Sequence, residues 1–427
     1  MRPATPEVYG APGGVFTFTV NSPSPTPAFD VLDIDQLRAD TRGCSEVIHL
    51  NNAGSALAPA IVVDTMVDFL RQEEMQGGYE AHAKAQGRLD NVYSSIATLL
   101  ATEPTHIALT ESATSSWDRA FASIAFTEPF TSKSRILVSS SEYASNVLPI
   151  MQIVKRTGAT LEFIADSPEG VTDLDSVEKL MDDSVALVAI NHCPSQNGLI
   201  NDVAGIGEII RSTNPNTWYL VDACQSVGQL SVDAPAIGAD FLSVTGRKFM
   251  RGPRGTGFLY CSSRTLAELE PFPLDLHGGH WDAALHYSVR HGARRFESWE
   301  KSYAALLGLG AAVDYSLALG MNAIEARITE LAAYARNQLT TIAGVRILDR
   351  GESLSGIVTF LHETTPAAQI VERLRAAGIN VSLGSPDYSQ VDYLGHGVEA
   401  LIRVSPHVYN TTTEIDTLVE TVRELTA

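Results

Sequence analysis

The stretch Trp218–Tyr260 reads WYLVDACQSVGQLSVDAPAIGADFLSVTGRKFMRGPRGTGFLY. It contains three short apolar runs, Trp218–Val221, Phe241–Val244 and Gly257–Tyr260. Runs this short, bounded by Gly, Pro and Asp, read as strands buried on both faces, the pattern of a sheet covered by helices on either side. The first run leads directly into Asp222, and the second is followed by Thr245, Gly246, Arg247 and Lys248. In an open sheet of parallel strands, ligands sit beyond the carboxyl ends of the strands. The stretch therefore brings a carboxylate and an amine to one edge of a sheet, with a hydroxyl and a guanidinium beside the amine.

Working outward, further strand-like runs lie at Arg135–Ser139, Thr160–Ala165 and Val185–Ile190, with amphipathic helical segments such as Asp173–Met181 and Ala204–Ser212 between them. Alternation of strands and helices predicts an α/β domain with a mostly parallel sheet. Beyond Tyr303 the pattern changes to an Ala/Leu-rich helical stretch, then to apolar runs at Gly356–Phe360 and Leu401–Val404, read as a smaller α+β domain. The NSPSPTP stretch at Asn21–Pro27 reads as a linker. The expected organisation is an extension over 1–28, a segment over 29–58 that packs with the small domain, a large domain over 59–303 and a small domain over 304–427.

Of the 427 residues, 50 are acidic and 30 basic, a formal net charge of −20. That balance argues against a nucleic-acid partner, which would need concentrated Lys and Arg. Four cysteines without a CxxC pattern fit reduced thiols in a cytoplasmic protein, with no zinc site or disulfide framework. The N-terminus lacks a leader pattern, and no apolar run approaches the ~20 residues of a membrane span. Only six lysines are present (Lys84, Lys133, Lys155, Lys179, Lys248 and Lys301), which shortens the search for an amine nucleophile.

Lys248 and Asp222 are the pair that pyridoxal-phosphate chemistry requires. A lysine carries the cofactor as a Schiff base, and a carboxylate holds the pyridine nitrogen protonated so that the ring accepts electrons. Thr245 and Arg247 suit a phosphate. Upstream, LTESATSSW (Leu109–Trp117) puts small hydroxyl residues ahead of a helical run, and a helix N-terminus also suits an anion.

These segments, with HLNNAG (49–54), SSEYASNVLP (140–149), INHCPSQNG (190–198), RRFESWE (294–300) and IRVSPHVYNT (402–411), resemble the class V aminotransferase family. Those are fold type I pyridoxal-phosphate enzymes, including cysteine desulfurases and isopenicillin N epimerase-like proteins, and the resemblance runs from about His49 to the C-terminus. It implies a large domain with a seven-stranded, mostly parallel sheet, a smaller α+β C-terminal domain and pyridoxal 5'-phosphate as cofactor. Lys248 is then the Schiff-base lysine and the base that moves the α-proton. Asp222 pairs with the pyridine nitrogen, and Gln225 and Ser195 lie near the cofactor. Ser112, Ala113, Thr114, Thr245 and Arg247 hold its phosphate. Tyr143 stacks on the ring where relatives carry histidine, Arg403 takes the substrate carboxylate, and Asn52 lines the entrance. Trp281 and His286 are candidates for the substrate pocket. Since such sites are completed across a homodimer interface, Arg295, Trp299 and Glu300 are candidates to face the partner's cofactor.

The substrate expected from the resemblance is an amino acid. Cysteine desulfurases use a thiol on a mobile loop of the small domain, and Asn380–Ala400 contains no cysteine. The expectation is therefore a lyase or decarboxylase that is not a cysteine desulfurase. The favoured reaction is C–S lysis or oxidative decarboxylation of a sulfur-substituted cysteine, because HWDAALHY and RRFESWE resemble enzymes of lincosamide biosynthesis. Epimerisation, transamination and a non-catalytic binding subunit are the alternatives. An epimerase would need a second acid/base, for which Tyr143, His286 and His396 are available.

Overall fold

The computed structural model describes residues 32–426, so the expected extension over 1–28 lies outside the described residues. Seven strands form the large sheet in the spatial order Ile107–Thr110, Gly257–Cys261, Phe241–Thr245, Trp218–Asp222, Val185–Asn191, Arg135–Ser139 and Thr160–Ile164. Gly257–Cys261 runs antiparallel to both neighbours, and every other pairing is parallel. The apolar runs are continuous because both faces are covered. Leu137, Val188, Val221 and Leu242 point into one core, while Ile136, Leu187, Leu220 and Phe241 point into the other. The seven-stranded, mostly parallel sheet agrees with the α/β expectation.

A second sheet of four antiparallel strands, Val345–Ile347, Val358–His362, Leu401–Val404 and Ser382–Gly384, has its own core. Helices Met321–Leu339, Ala367–Ala376 and Thr412–Thr426 contribute Leu331, Ile370 and Leu418 to it. The N-terminal segment joins here: Ile48–His49 pairs in parallel with Ile379–Asn380, and Leu50 is wholly buried. Helix Tyr303–Leu319, just past the 303/304 boundary drawn from sequence, packs Leu306, Leu307, Leu309 and Val313 into the larger core. The chain passes to the smaller core with the next helix.

One stretch departs from the reading of short apolar runs. The helical stretch Asn52–Gln76 is long and apolar enough to cross a membrane by composition. Val62 and Phe69 are fully buried against the helices Gly78–Leu99 and Tyr303–Leu319, while Val63, Val67 and Leu70 on the other side are exposed.

Two backbone features set the sheet edge that carries the chemistry. Gly228, at φ +96°, lies so close to the loop after Lys248 that a Cβ would stand 2.5 Å from Met250 N and Phe249 C. Only glycine lets the turn after Asp222 approach that loop. Arg251 adopts φ +58°, and its buried guanidinium lies 4.7 Å from the Tyr409 ring centroid. It donates to Leu57 O and Thr41 Oγ1, tying the turn after Lys248 to the N-terminal segment.

Candidate active site

A cavity of about 400 Å³ opens where the carboxyl ends of the large-sheet strands face the small sheet. Strand Trp218–Asp222 delivers Asp222, which is 8% exposed, and register pairs it with Asn191 on one side and Ser243 on the other. Its Oδ1 accepts from the Cys224 amide at 2.9 Å, and its Oδ2 accepts from Asn146 Nδ2 at 2.9 Å. Strand Phe241–Thr245 ends at the same edge, and the following turn places Arg247 and Lys248 in the cavity wall. Burial lowers the Lys248 pKa; the neighbouring Cys224 and Asp222 act in the opposite direction, and Arg247 and Arg403 add to the lowering. An amine with a lowered pKa is a better nucleophile and base at neutral pH.

Ser112 caps helix Ala113–Thr127 by accepting from Ser115 N at 3.1 Å. The amides of Ala113 and Thr114 have no acceptor among the described residues and border the cavity with Thr245. Gly257 closes this cradle from behind: a Cβ there would meet Val244 O at 2.6 Å and Ser112 C at 2.7 Å. Unpaired amides at a helix start, a hydroxyl and Arg247 fit a phosphate.

Gln225 Nε2 donates to Ser195 Oγ at 2.8 Å and to Ala53 O at 3.2 Å, while its Oε1 is buried without a partner. Arg403 crosses from the small sheet. Its Nη1 donates to Ser195 O at 3.0 Å and its Nη2 to Asn51 Oδ1 at 3.3 Å, and Nε has no partner. Burial brings Arg403 down to about 10, which leaves it cationic at neutral pH. Tyr143 precedes helix Ala144–Thr157; its ring is parallel to Tyr388, with centroids 6.3 Å apart. These orphaned donors and acceptors, set between a carboxylate and a lysine, fit pyridoxal phosphate: Lys248 to carry it, Asp222 at the ring nitrogen and the Ser112–Thr114 amides at its phosphate.

Eleven of the residues expected from sequence line this one cavity: Ser112, Ala113, Thr114, Tyr143, Ser195, Asp222, Gln225, Thr245, Arg247, Lys248 and Arg403. Others do not. Asn52 is fully buried, donates to Ser405 O and accepts from Tyr409 OH, so its neighbours Ala53 and Gly54 line the entrance instead. The motif gave the turn but not the direction of the side chain. Trp281 and His286 lie on the hairpin Gly279–Ala283/His286–Val289, most of whose residues are left exposed by the described residues. Trp281 is 72% exposed and His286 pairs with Asp282, so neither reaches this cavity. Arg295 is turned inward to Gly292 O and Leu269 O, and Trp299 and Glu300 are exposed away from the cavity.

Sequence reading missed Asn146, Cys193, Arg254, Leu383 and Tyr388, all in the cavity wall. Asn146 had a usable signal, standing three residues after Tyr143 in the first turn of a helix, on the same face. Leu383 and Tyr388 come from the small domain, and nothing local in their sequence points to the cavity.

The Aminotransferase class-V family profile matches residues 48–418. A probable cysteine desulfurase of Xylella fastidiosa is 30% identical over 410 residues, covering 93% of this chain and 95% of the relative. The apo cysteine desulfurase of Thermococcus onnurineus superposes with a TM-score of 0.84 at 25% identity, over 92% of this chain and 98% of that one. C-DES with glycine covalently linked to its PLP cofactor superposes with a TM-score of 0.80 at 20% identity, over 91% and 99% of the two chains. These relatives overturn the exclusion of cysteine desulfuration. That exclusion rested on one segment, Asn380–Ala400, whereas the groups that act on the amino acid stand elsewhere and are intact. Thiols are also present in the cavity wall, at Cys193 and Cys224.

Proposed function

This chain belongs to the class-V aminotransferase family of pyridoxal-phosphate-dependent enzymes, and from that premise we propose that it cleaves the carbon–sulfur bond of cysteine or an S-substituted cysteine. The observation that carries this reading is the convergence of Lys248, Asp222 and Arg403 on one cavity, in a chain whose relatives are named for removing sulfur from cysteine. Bound pyridoxal phosphate supplies the electron sink that makes the bonds at the α-carbon labile. Arg403 binds the substrate carboxylate with the N–H groups that Ser195 and Asn51 leave unused, which orients the α-carbon. Lys248 Nζ takes the α-proton, and burial favours its neutral, basic form. Asp222 holds the proton of the ring nitrogen, and the Ser112–Thr114 turn anchors the phosphate.

A substituent on sulfur finds an apolar mouth formed by Tyr143, Leu383 and Tyr388, the last two 39% and 43% exposed. This favours an S-substituted cysteine as the narrower reading. A role in secondary metabolism rests on the resemblance carried by the N-terminal extension and the HWDAALHY and RRFESWE segments. The test is to incubate the holoenzyme with L-cysteine and a series of S-alkyl cysteines and to identify the products by mass. Sulfide, persulfide or a free thiol, with pyruvate or alanine, supports the reading. A D-amino acid, carbon dioxide, or a 2-oxo acid with its sulfur retained removes it.

We also infer a homodimer. Supporting it are the hairpin residues Trp281, Leu285 and Tyr287, at 72%, 100% and 53% exposure, and the exposed Val63, Val67 and Leu70, spaced by four and three along one helix. Trp299 and Glu300, exposed and shortly past the hairpin in the chain, are the residues we infer to reach the partner's site. Sedimentation of the wild type beside a Trp281→Glu/Tyr287→Glu variant tests this: a dimer converted to monomer is expected, and a monomeric wild type would end the inference.

A further inference from the structure

Behind Asp222 lies a closed polar cluster that the proposed reaction does not use. Asn146 Nδ2 donates one hydrogen to Asp222 Oδ2 at 2.9 Å and the other to Glu142 Oε1 at 2.8 Å. With an acceptor on each side of its nitrogen, the Asn146 carboxamide has one orientation. Glu142 Oε1 also accepts from the Tyr143 amide at 3.1 Å, and Ser139 Oγ lies 3.4 Å from Oε2. All three side chains are interior: Glu142 and Asn146 are each 3% exposed and Asp222 is 8% exposed. Asp222 is the charged group facing Glu142; the others are the neutral Ser139 hydroxyl, Asn146 amide and Tyr143 amide.

A buried glutamate this close to another carboxylate is a poor choice for packing, since burial penalises its charge and the neighbour repels it. Those two effects, burial first, push the Glu142 carboxyl up to about 7. What the glutamate supplies is an acceptor that fixes the Asn146 amide. The Cys224 amide pins the other Asp222 oxygen at 2.9 Å. Each Asp222 oxygen is thus tethered through one lone pair and retains another for the cavity.

We propose that Glu142 and Asn146 are positioning residues for the cofactor: Glu142 locks the Asn146 amide, and Asn146 holds Asp222 with its remaining lone pairs aimed at the ring nitrogen. The proposal does not depend on which substrate bond is cleaved, so it stands or falls apart from the C–S reading.

The test uses enzyme loaded with pyridoxal phosphate carrying an isotope label at the ring nitrogen, whose protonation is followed by nitrogen NMR across pH. Glu142→Ala is expected to lower the pH at which that nitrogen loses its proton by about one unit and to weaken cofactor binding roughly tenfold, the scale of one charge-assisted hydrogen bond. Glu142→Gln keeps an acceptor for Asn146 and reverses the long Ser139 contact, its amide donating to the hydroxyl while Ser139 Oγ still has Asn191 Oδ1 to donate to, and it is expected to match the wild type in both measurements. An unchanged midpoint in Glu142→Ala would overturn the proposal. So would a Gln variant that behaves like Ala, because the charge rather than the hydrogen bond would then be responsible. If Glu142→Ala does not fold, Asn146→Ser breaks the same link from the other end; a wild-type midpoint in that variant overturns the proposal equally.

Discussion

Replacing Arg403 with lysine separates the fork of the guanidinium from its charge. In the structure Nη1 is committed to Ser195 O at 3.0 Å and Nη2 to Asn51 Oδ1 at 3.3 Å, and Nε is buried without a partner. Three of the five N–H groups therefore remain, and a carboxylate held at two points takes two of them. A lysine ammonium brings three donors, two of which the same oxygens of Ser195 and Asn51 absorb, so one is left. The expected cost is one charge-assisted hydrogen bond, about 1.5–3 kcal/mol, or roughly ten- to 150-fold in affinity. The assay is binding of L-alanine and of ethylamine to the holoenzyme, followed by the visible spectrum of the cofactor. Both ligands carry the amine, and only alanine carries the carboxylate. The Arg403→Lys variant should lose affinity for L-alanine by that factor and bind ethylamine as the wild type does. Equal losses for the two ligands would refute the assignment of Arg403 to the carboxylate.

Three other outcomes follow from the same geometry. Lys248→Ala should abolish turnover and borohydride labelling of the chain while leaving its circular dichroism unchanged; turnover close to wild type would remove Lys248 from the mechanism. Gly257→Ala puts a methyl 2.6 Å from Val244 O and 2.7 Å from Ser112 C, so it should displace the phosphate cradle and raise the Kd for pyridoxal phosphate roughly tenfold or more. An unchanged Kd would show that Ser112 does not need its present position. His407 is buried and neutral, its Nε2 paired with Phe249 O at 2.9 Å, with a folded-state pKa of about 3 against ~6.5 when unfolded. Between those values the unfolded chain binds the proton and the folded chain does not, so stability falls as pH drops through that window. His407→Gln should lessen the loss of stability between pH 7 and pH 5, read from urea midpoints, by about 2 kcal/mol; an identical loss would place the acid sensitivity elsewhere.

The positions of Asp222 and Lys248 were legible because both lie immediately after apolar strand runs, and in a parallel sheet every strand end faces the same way. Ser112–Thr114 were legible for a related reason: hydroxyl residues before a helical run mark a helix start whatever the surroundings. Asn52 shows where this kind of reading stops. Its motif located the turn, but Ser405 and Tyr409, more than 350 residues away, decide that the side chain turns into the core. Trp281 and His286 stand on an exposed hairpin outside the cavity of their own chain, and a hairpin pattern in the sequence does not reveal what covers it. The exclusion of desulfuration failed because it judged chemistry from one segment of the small domain.

The amino-acid sequence by itself determined the α/β class, the strand ends that carry Asp222 and Lys248, and the helix start at Ser112, because each depends on contacts a few residues apart. Only the tertiary structure decided what surrounds them. Arg403, Leu383 and Tyr388 reach the cavity because the small sheet packs over the large one, and Asn146 meets Asp222 because helix Ala144–Thr157 starts beside the end of strand Trp218–Asp222. Burial, the charge of a neighbour and the direction of a side chain are properties of such long-range packing. They lower the pKa of both Lys248 and Arg403, and the order of residues along the chain does not encode them locally.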